Sequence, residues 1–310
     1  MKAALKRNPI IYEIVPPRRD TSRFSTELRG VEEVLQDGRI TAINIPELIK
    51  RRIEHGEIAY SPATIPPEEY AMIIRDYKES IVNLIAPRMA KDEFLKRARK
   101  ILHDYKIPNI IIVGKERRED DLPGLGVTAA LRLLAAERGD SAALGGICIF
   151  SRRSTGIDAG GRKVQVLTEE RRVWLKAEAG GDFFTGQITF ESEPVLNFLR
   201  AYENLCDRTG REPLTIFISL ATIPTTSILK LLESLDVVIP PRIRRRLATS
   251  PDMGRESARI AKEVFSQVIS GAETAGLRVP IGLQIEQIGV NNGTLSLELL
   301  DSLNPIMRGR

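Results

Sequence analysis

Glu13 stands alone in an apolar run. Ile10, Ile11, Tyr12, Ile14 and Val15 surround it, and Pro16 and Pro17 end the run. A carboxyl among apolar side chains loses the hydration that favours its charged form, so its pKa rises and it becomes suited to donating a proton. Two plainer readings stay open: a solvent-facing glutamate on an edge strand, and a satisfied structural one. A second acid, Glu286, lies beside Gln287 in the last apolar run of the chain, "PIGLQIEQIG" from Pro280. Both would meet a ligand if that run ends at the rim of a site.

Other chemistry has little material. His55 and His103 are the two histidines and Cys148 and Cys206 the two cysteines. They form no Ser-His-Asp set, no zinc spacing and no disulfide framework. The net charge of +5 admits an anionic partner, either nucleic acid or a polyanionic small molecule. Aromatics make up only 5% of the chain, and no basic segment is interleaved with them for base stacking, so nucleic acid is not expected. The densest basic cluster, "RIRRR" from Arg242 to Arg246, reads equally as a solvated helix start and as an anion contact. The basic N-terminal stretch lacks the apolar core of a secretory signal, and no apolar run approaches the ~20 residues that span a bilayer. The expected setting is cytoplasmic, with no membrane partner.

These residues need a scaffold, and the apolar runs supply one. Strand candidates begin at Ile10, Ile40, Ile81, Asn109, Gly145, Asp182, Leu214 and Pro280. Helical patterns lie between them. One is "IPPEEYAMIIRDYK", with Pro67 suited to a first turn. "KDEFLKRARKILHDY" and "EERRVWLKAEAG" are two more, the latter closing on Gly180. Two others close on Gly210 and Gly276. Eight such units predict a closed α/β barrel, a single (β/α)8 TIM-barrel domain over residues 1–310, rather than an open doubly wound sheet. The first strand has no Gly-rich fingerprint behind it. Catalytic groups of such barrels lie at the C-terminal strand ends, and Glu13 is late in its strand.

Several stretches, in order, resemble the methylenetetrahydrofolate reductase family. "YEIVPPR" resembles its first-strand signature, and "IAPRMAKDEF" lies where the family has a "PHLTC"-like motif. "IIIVGKERREDDLPG" is similar to its fourth strand and "RGD" loop, and "KAEAGGDFFTGQITFE" to its sixth strand. "FISLATIPTTSILKLLESLDVVIPP" follows its seventh. The resemblance spans nearly the whole chain. It implies a reductase that converts 5,10-methylene-tetrahydrofolate, or a related methylene-pterin, to the 5-methyl form with NADH or NADPH as hydride donor.

By the same resemblance, Glu13 is the general acid and Gln187 contacts the pterin. Glu116 falls at the acidic end of the "RGD" loop, a substrate-binding carboxylate near the pterin and flavin, and Lys176 at a lysine near cofactor phosphates. Glu286, Gln287 and Arg245 are added as substrate contacts, Arg245 for the carboxylates of the folate tail. Arg88, Phe150 and Arg152 are expected near the cofactor.

Departures from the family concentrate where it holds FAD. Arg88 replaces a histidine, "GKE" from Gly114 to Glu116 replaces "RGD", and Phe150 followed by "SRRS" replaces a tyrosine and histidine. Two accounts follow: FAD held by other groups such as Arg88, Lys115, Arg152, Arg153 and Lys176, or direct hydride transfer from NAD(P)H. "GRITAINIPELI" and "LQIEQIGVNN" resemble the flavin-independent branch more closely. A pterin- or corrinoid-linked methyltransferase or accessory subunit is the alternative. A homo-oligomer or an electron-supplying subunit remains a compatible partner.

Overall fold

The computed structural model describes residues 5, 9–18, 24–54, 57–62, 64–114, 124–140, 142–152, 155–157, 163–165, 167–288 and 293–308. Twelve strands are present among them. In chain order they are β1 (Ile10–Ile14), β2 (Ala42–Ile45), β3 (Ile49–Glu54), β4 (Glu57–Pro62), β5 (Ser80–Ile85) and β6 (Asn109–Val113). Then come β7 (Ala143–Cys148), β8 (Thr155–Ile157), β9 (Lys163–Gln165), β10 (Phe183–Gly186), β11 (Thr215–Ala221) and β12 (Ile281–Gln287). The helices are α1 (Phe24–Gln36), α2 (Pro67–Ile74), α3 (Lys91–Arg99), α4 (Val127–Glu137) and α5 (Glu169–Glu178). They continue as α6 (Ser192–Thr209), α7 (Thr226–Ser234), α8 (Pro241–Thr249), α9 (Met253–Thr274) and α10 (Gly293–Arg308).

Eight strands close a parallel barrel in the order β1-β12-β11-β10-β7-β6-β5-β2, the (β/α)8 architecture that the apolar runs predict. All eight predicted strands are in it. Strands covered on both faces read as near-continuous apolar runs, which is why they are legible. Two antiparallel hairpins, β3–β4 and β8–β9, lie outside the barrel and go beyond the sequence reading. The strand from Asp182 is shorter than its apolar run: β10 ends at Gly186, and Gln187 N–H and Thr189 N–H continue as single bonds to Cys148 O and Ser219 O. The helix from Lys91 widens after Arg99 into a π turn over Lys100–Asp104.

Alternation along each strand sorts its side chains. Tyr12, Ile14, Ile43, Ile45, Ile110, Ile112, Leu283 and Ile285 pack outward against the helices. Ile11, Ala42, Ile81, Ile111, Ala143, Phe183 and Phe217 face inward and fill the lower barrel with Leu5. Phe183 and Phe217 meet edge-to-face, with ring centroids 5.7 Å apart. Glycine makes room for them: a Cβ at Gly145 would lie 2.6 Å from the Phe183 ring, and one at Gly282 2.6 Å from Phe217. The Thr215 hydroxyl donates to the Leu5 carbonyl at 2.7 Å, pinning that residue beneath the barrel. Each buried phenylalanine stabilises the fold by roughly 1.5–3 kcal/mol.

Outside, α6 and α9 each end where a glycine takes a left-handed conformation, Gly210 at φ 67° and Gly276 at φ 64°. No helix among the described residues is long and apolar enough to cross a membrane.

Candidate functional site

The inward alternation that packs the lower barrel places a polar layer above it. Continuing each strand toward its C-terminal end, Ile11 gives way to Glu13, Ala42 to Asn44, Ile81 to Asn83, Phe183 to Thr185 and Phe217 to Ser219. On β12, Gln284 and Glu286 follow Gly282. The ladders bring three of these together, since Glu13 is the register partner of Asn44 on one side and of Glu286 on the other.

Asn44 Nδ2 donates to Glu13 Oε2 at 2.7 Å, and Gln284 Nε2 to Glu286 Oε1 at 3.0 Å. Burial pushes the Glu13 carboxyl well above the usual carboxylate range, the neighbouring Glu286 pushes it further, and the Asn44 bond pulls back. Burial likewise raises Glu286, against the pull of Ser219 and Gln284. As a whole residue Glu13 nevertheless keeps some accessible surface. The edge-strand reading of Glu13 does not hold, because β1 is paired on both sides.

Asn44 Oδ1, Asn83 Oδ1, Gln284 Oε1 and the hydroxyls of Thr185 and Ser219 are buried without a hydrogen-bond partner in the protein. Unsatisfied buried polar groups are costly, so a native cluster of them calls for a ligand or water. The amide oxygens call for N–H or O–H groups, while the Thr185 and Ser219 hydroxyls can donate or accept.

The β6–β7 side of the mouth is different. Val113 and Ile147 are its inward residues, and they open into a cavity of about 350 Å³ that Thr128, Arg152, Arg172 and Lys176 also line. Lys176 Nζ donates to the Ile147 carbonyl and lies 3.9 Å from Glu169. Arg152 pairs with Glu169 at 2.8 Å, and Glu169 Oε1 also accepts from Ile149 N–H at 3.0 Å. Burial lowers the Lys176 pKa and Glu169 opposes it. Three cations around one carboxylate leave the cavity net positive and suited to an anion. Burial raises the Cys148 thiol beside it, which makes an inert core sulfur of it.

The structure treats the other predicted residues unevenly. Gln287 is a correction: it follows Glu286 by one residue, so its side chain turns outward, where Oε1 accepts from the Tyr12 hydroxyl at 3.1 Å. Gln187 lies at the rim, its amide donating to the Leu235 carbonyl at 3.3 Å. Phe150 packs edge-on against Phe198, with centroids 5.2 Å apart, and covers Gly186 on the outer face of the barrel. Arg88 is half-buried in the short 3-10 turn Ala86–Arg88 after β5. Glu116, like Lys115 and Arg153, lies outside the described residues.

The "RIRRR" cluster is α8, whose Ile243 and Leu247 are buried. Arg242 pairs with Glu191, Arg244 with Glu233, and Arg246 with Glu256 and Glu263. Arg245 is exposed on the same helix. Asn44, Asn83, Thr185, Ser219 and Gln284 are absent from the sequence reading. Their signal is the one that singles out Glu13: a lone polar residue inside a buried run.

A further set of charges braces this layer. Arg97 on α3 donates through Nε and Nη2 to both oxygens of Glu68 on α2, at 2.9 and 2.8 Å, and through Nη1 to Glu47. Glu47 Oε2 accepts from Ile85 N–H at 2.8 Å. The end of β5 is thereby tied to the segment following β2, the two strands that carry Asn83 and Asn44.

No family model matches the chain, and no curated protein matches it. Solved structures do. One is an uncharacterized protein from Clostridium thermocellum that binds two copies of 5-methyl-5,6,7,8-tetrahydrofolic acid. It aligns over 100% of this chain and 98% of its own with a TM-score of 0.75 and 19% identity. At that identity the likeness establishes the shared barrel fold.

Proposed function

We propose that this chain binds a reduced pterin of the tetrahydrofolate class and reduces its 5,10-methylene form to the 5-methyl form, with Glu13 as general acid and NADH or NADPH as hydride donor. The observation that carries the reading is the layer of unpartnered polar groups around Glu13, a carboxyl that burial and Glu286 raise well above the usual range. A pterin presents a 2-amino group and an N3–H along one edge, donors that match the unpartnered amide oxygens and the second carboxylate. The fold shared with a protein that binds 5-methyl-tetrahydrofolate supports the same ligand class.

The chemistry follows from the groups present. Glu13 gives its proton to N10 as the bond from N10 to the methylene carbon breaks, and N5 keeps that carbon as an iminium. Hydride from the reduced nicotinamide then adds to the carbon and leaves a methyl group on N5. The apolar lower barrel excludes bulk water from the cation. Gln187 exchanges its bond to Leu235 for one to the pterin, and Arg245 meets the glutamate carboxylates outside the mouth.

The cavity with Arg152, Arg172 and Lys176 fits the pyrophosphate of a dinucleotide. If FAD binds, the same cations hold its pyrophosphate, and the cofactor supplies hydride relay. The flavin-independent reading has the nicotinamide occupy that side of the mouth itself.

The test is oxidation of NAD(P)H by the purified protein with and without methylene-tetrahydrofolate, alongside its visible absorbance. A colourless protein that oxidises NAD(P)H only when the folate is added supports direct transfer. Tightly held flavin bands that NAD(P)H bleaches support the FAD form. Glu13→Gln should fold normally and lose roughly 10²–10⁴ in turnover, the usual contribution of a general acid. Near-normal turnover in that variant would remove Glu13 from the mechanism.

A further inference from the structure

Glu13 and Glu286 face each other across the β1–β12 ladder, and neighbouring strands lie only about 4.8 Å apart. The described inward residues near them are Asn44 and Asn83 from β2 and β5, Val113 and Ile147 from β6 and β7, Thr185 from β10, and Ser219, Ala221 and Gln284 from β11 and β12. None of these is titratable, so no described cation neutralises the two acids within the layer. Of the cations described above, Arg97 and Arg152 pair with Glu47, Glu68 and Glu169, Lys176 donates to the Ile147 carbonyl, and Arg88 lies in the turn after β5. Two carboxylates so placed do not both ionise readily, and such a pair titrates as a unit.

We infer that Glu13 and Glu286 form a carboxyl dyad that holds a single proton, with Glu286 as the positioning residue that keeps Glu13 loaded. The local bonds break the symmetry of the pair. Glu286 accepts from Gln284, with Ser219 beside it, while Glu13 accepts from Asn44. Each acid has one amide donor, and the Ser219 hydroxyl adjoining Glu286 can turn to it as well, which favours the ionised form at Glu286 and leaves the proton on Glu13.

The inference deepens the reductase reading and rests on it for its catalytic meaning. In the resting state the dyad carries one negative charge. Transfer of the proton from Glu13 to N10 leaves two, as the iminium gains its positive charge. The dyad therefore becomes most negative at the moment the cation forms, which stabilises it more than the ground state. Solvent returns one proton after the methyl product leaves.

The test begins without folate. Infrared titration of the ligand-free protein follows the C=O band of a protonated buried carboxyl in the wild type and in Glu13→Gln and Glu286→Gln. The wild type should keep one such band through neutral pH. In Glu286→Gln the remaining Glu13 should ionise at least about one unit lower, because the like charge is gone. In Glu13→Gln the band should come from Glu286 alone and titrate at about 7, where burial holds that carboxyl. The alkaline limb of the methylene-folate pH profile in Glu286→Gln should fall by the same amount, read from the position of the limb and not from the height of the plateau.

An unmoved band and an unmoved limb in Glu286→Gln overturn the dyad. If Glu286→Gln does not fold, Glu286→Asp serves, and a shorter acid that sits farther from Glu13 should move the band and limb in the same direction by a smaller amount. A limb identical to the wild type in that variant again refutes the dyad. A shared proton in the infrared with no folate turnover in any variant leaves the dyad standing and removes the reductase reading instead.

Discussion

Replacing Arg97 by Met tests how the polar layer is braced. The substitution keeps most of the stem's volume and removes the guanidinium from between Glu47 and Glu68, whose side chains are only 10% and 11% exposed. Removing one partner of a buried ion cluster leaves uncompensated charge, worth about 3–5 kcal/mol. With a urea m-value of about 3 kcal/mol/M for a chain of this size, the unfolding midpoint should drop by roughly 1–1.7 M.

Arg97→Lys should recover only part of the loss, since an ammonium cannot reproduce the two-pronged contact with Glu68. A midpoint change under about 0.3 M would refute the account of Arg97 as the neutralising member of this cluster.

Three further outcomes are expected. Glu13→Gln should gain stability over the wild type progressively as pH rises, because the wild-type carboxyl, raised by burial and by Glu286, must ionise in the fold; thermal melts across pH would show this. Lys176→Met should weaken NAD(P)H binding by roughly 10–150-fold, as expected for loss of a charge-assisted hydrogen bond, and KM should change more than turnover. Gly282→Ala forces a methyl 2.6 Å from the Phe217 ring and should cost about 1–3 kcal/mol in denaturant titration.

The barrel is legible because parallel strands buried on both faces are written as apolar runs, and because Gly210 and Gly276 mark helix ends through their positive φ. The hairpins are not. "IKRRIE" carries four charges in six residues, so β3 shows no apolar alternation, and β8 and β9 are three residues each. Within the site, Glu13 is legible as a lone acid in an apolar run. Its pairing with Glu286 depends on a ladder that closes the first barrel strand onto the last, 273 residues apart by their register. No local pattern carries that closure. Gln287 is misplaced for a related reason: proximity to the rim is visible, but the side it faces depends on the strand's phase.

Leu5 and the Thr215 hydroxyl seal the lower end of the barrel beneath the Phe183–Phe217 pair. The vessel has a floor, so traffic runs through one doorway. Under the proposed reductase reading, a pterin seated on the polar layer would lie deeper than the hydride donor at the β6–β7 side of the mouth, and the later arrival would cover the earlier one. Two reactants using one doorway impose an order of entry and the reverse order of exit. Dead-end complexes should then form when the upper occupant arrives too early. Substrate inhibition by the hydride donor, relieved by more folate, is the kinetic trace that a closed floor leaves.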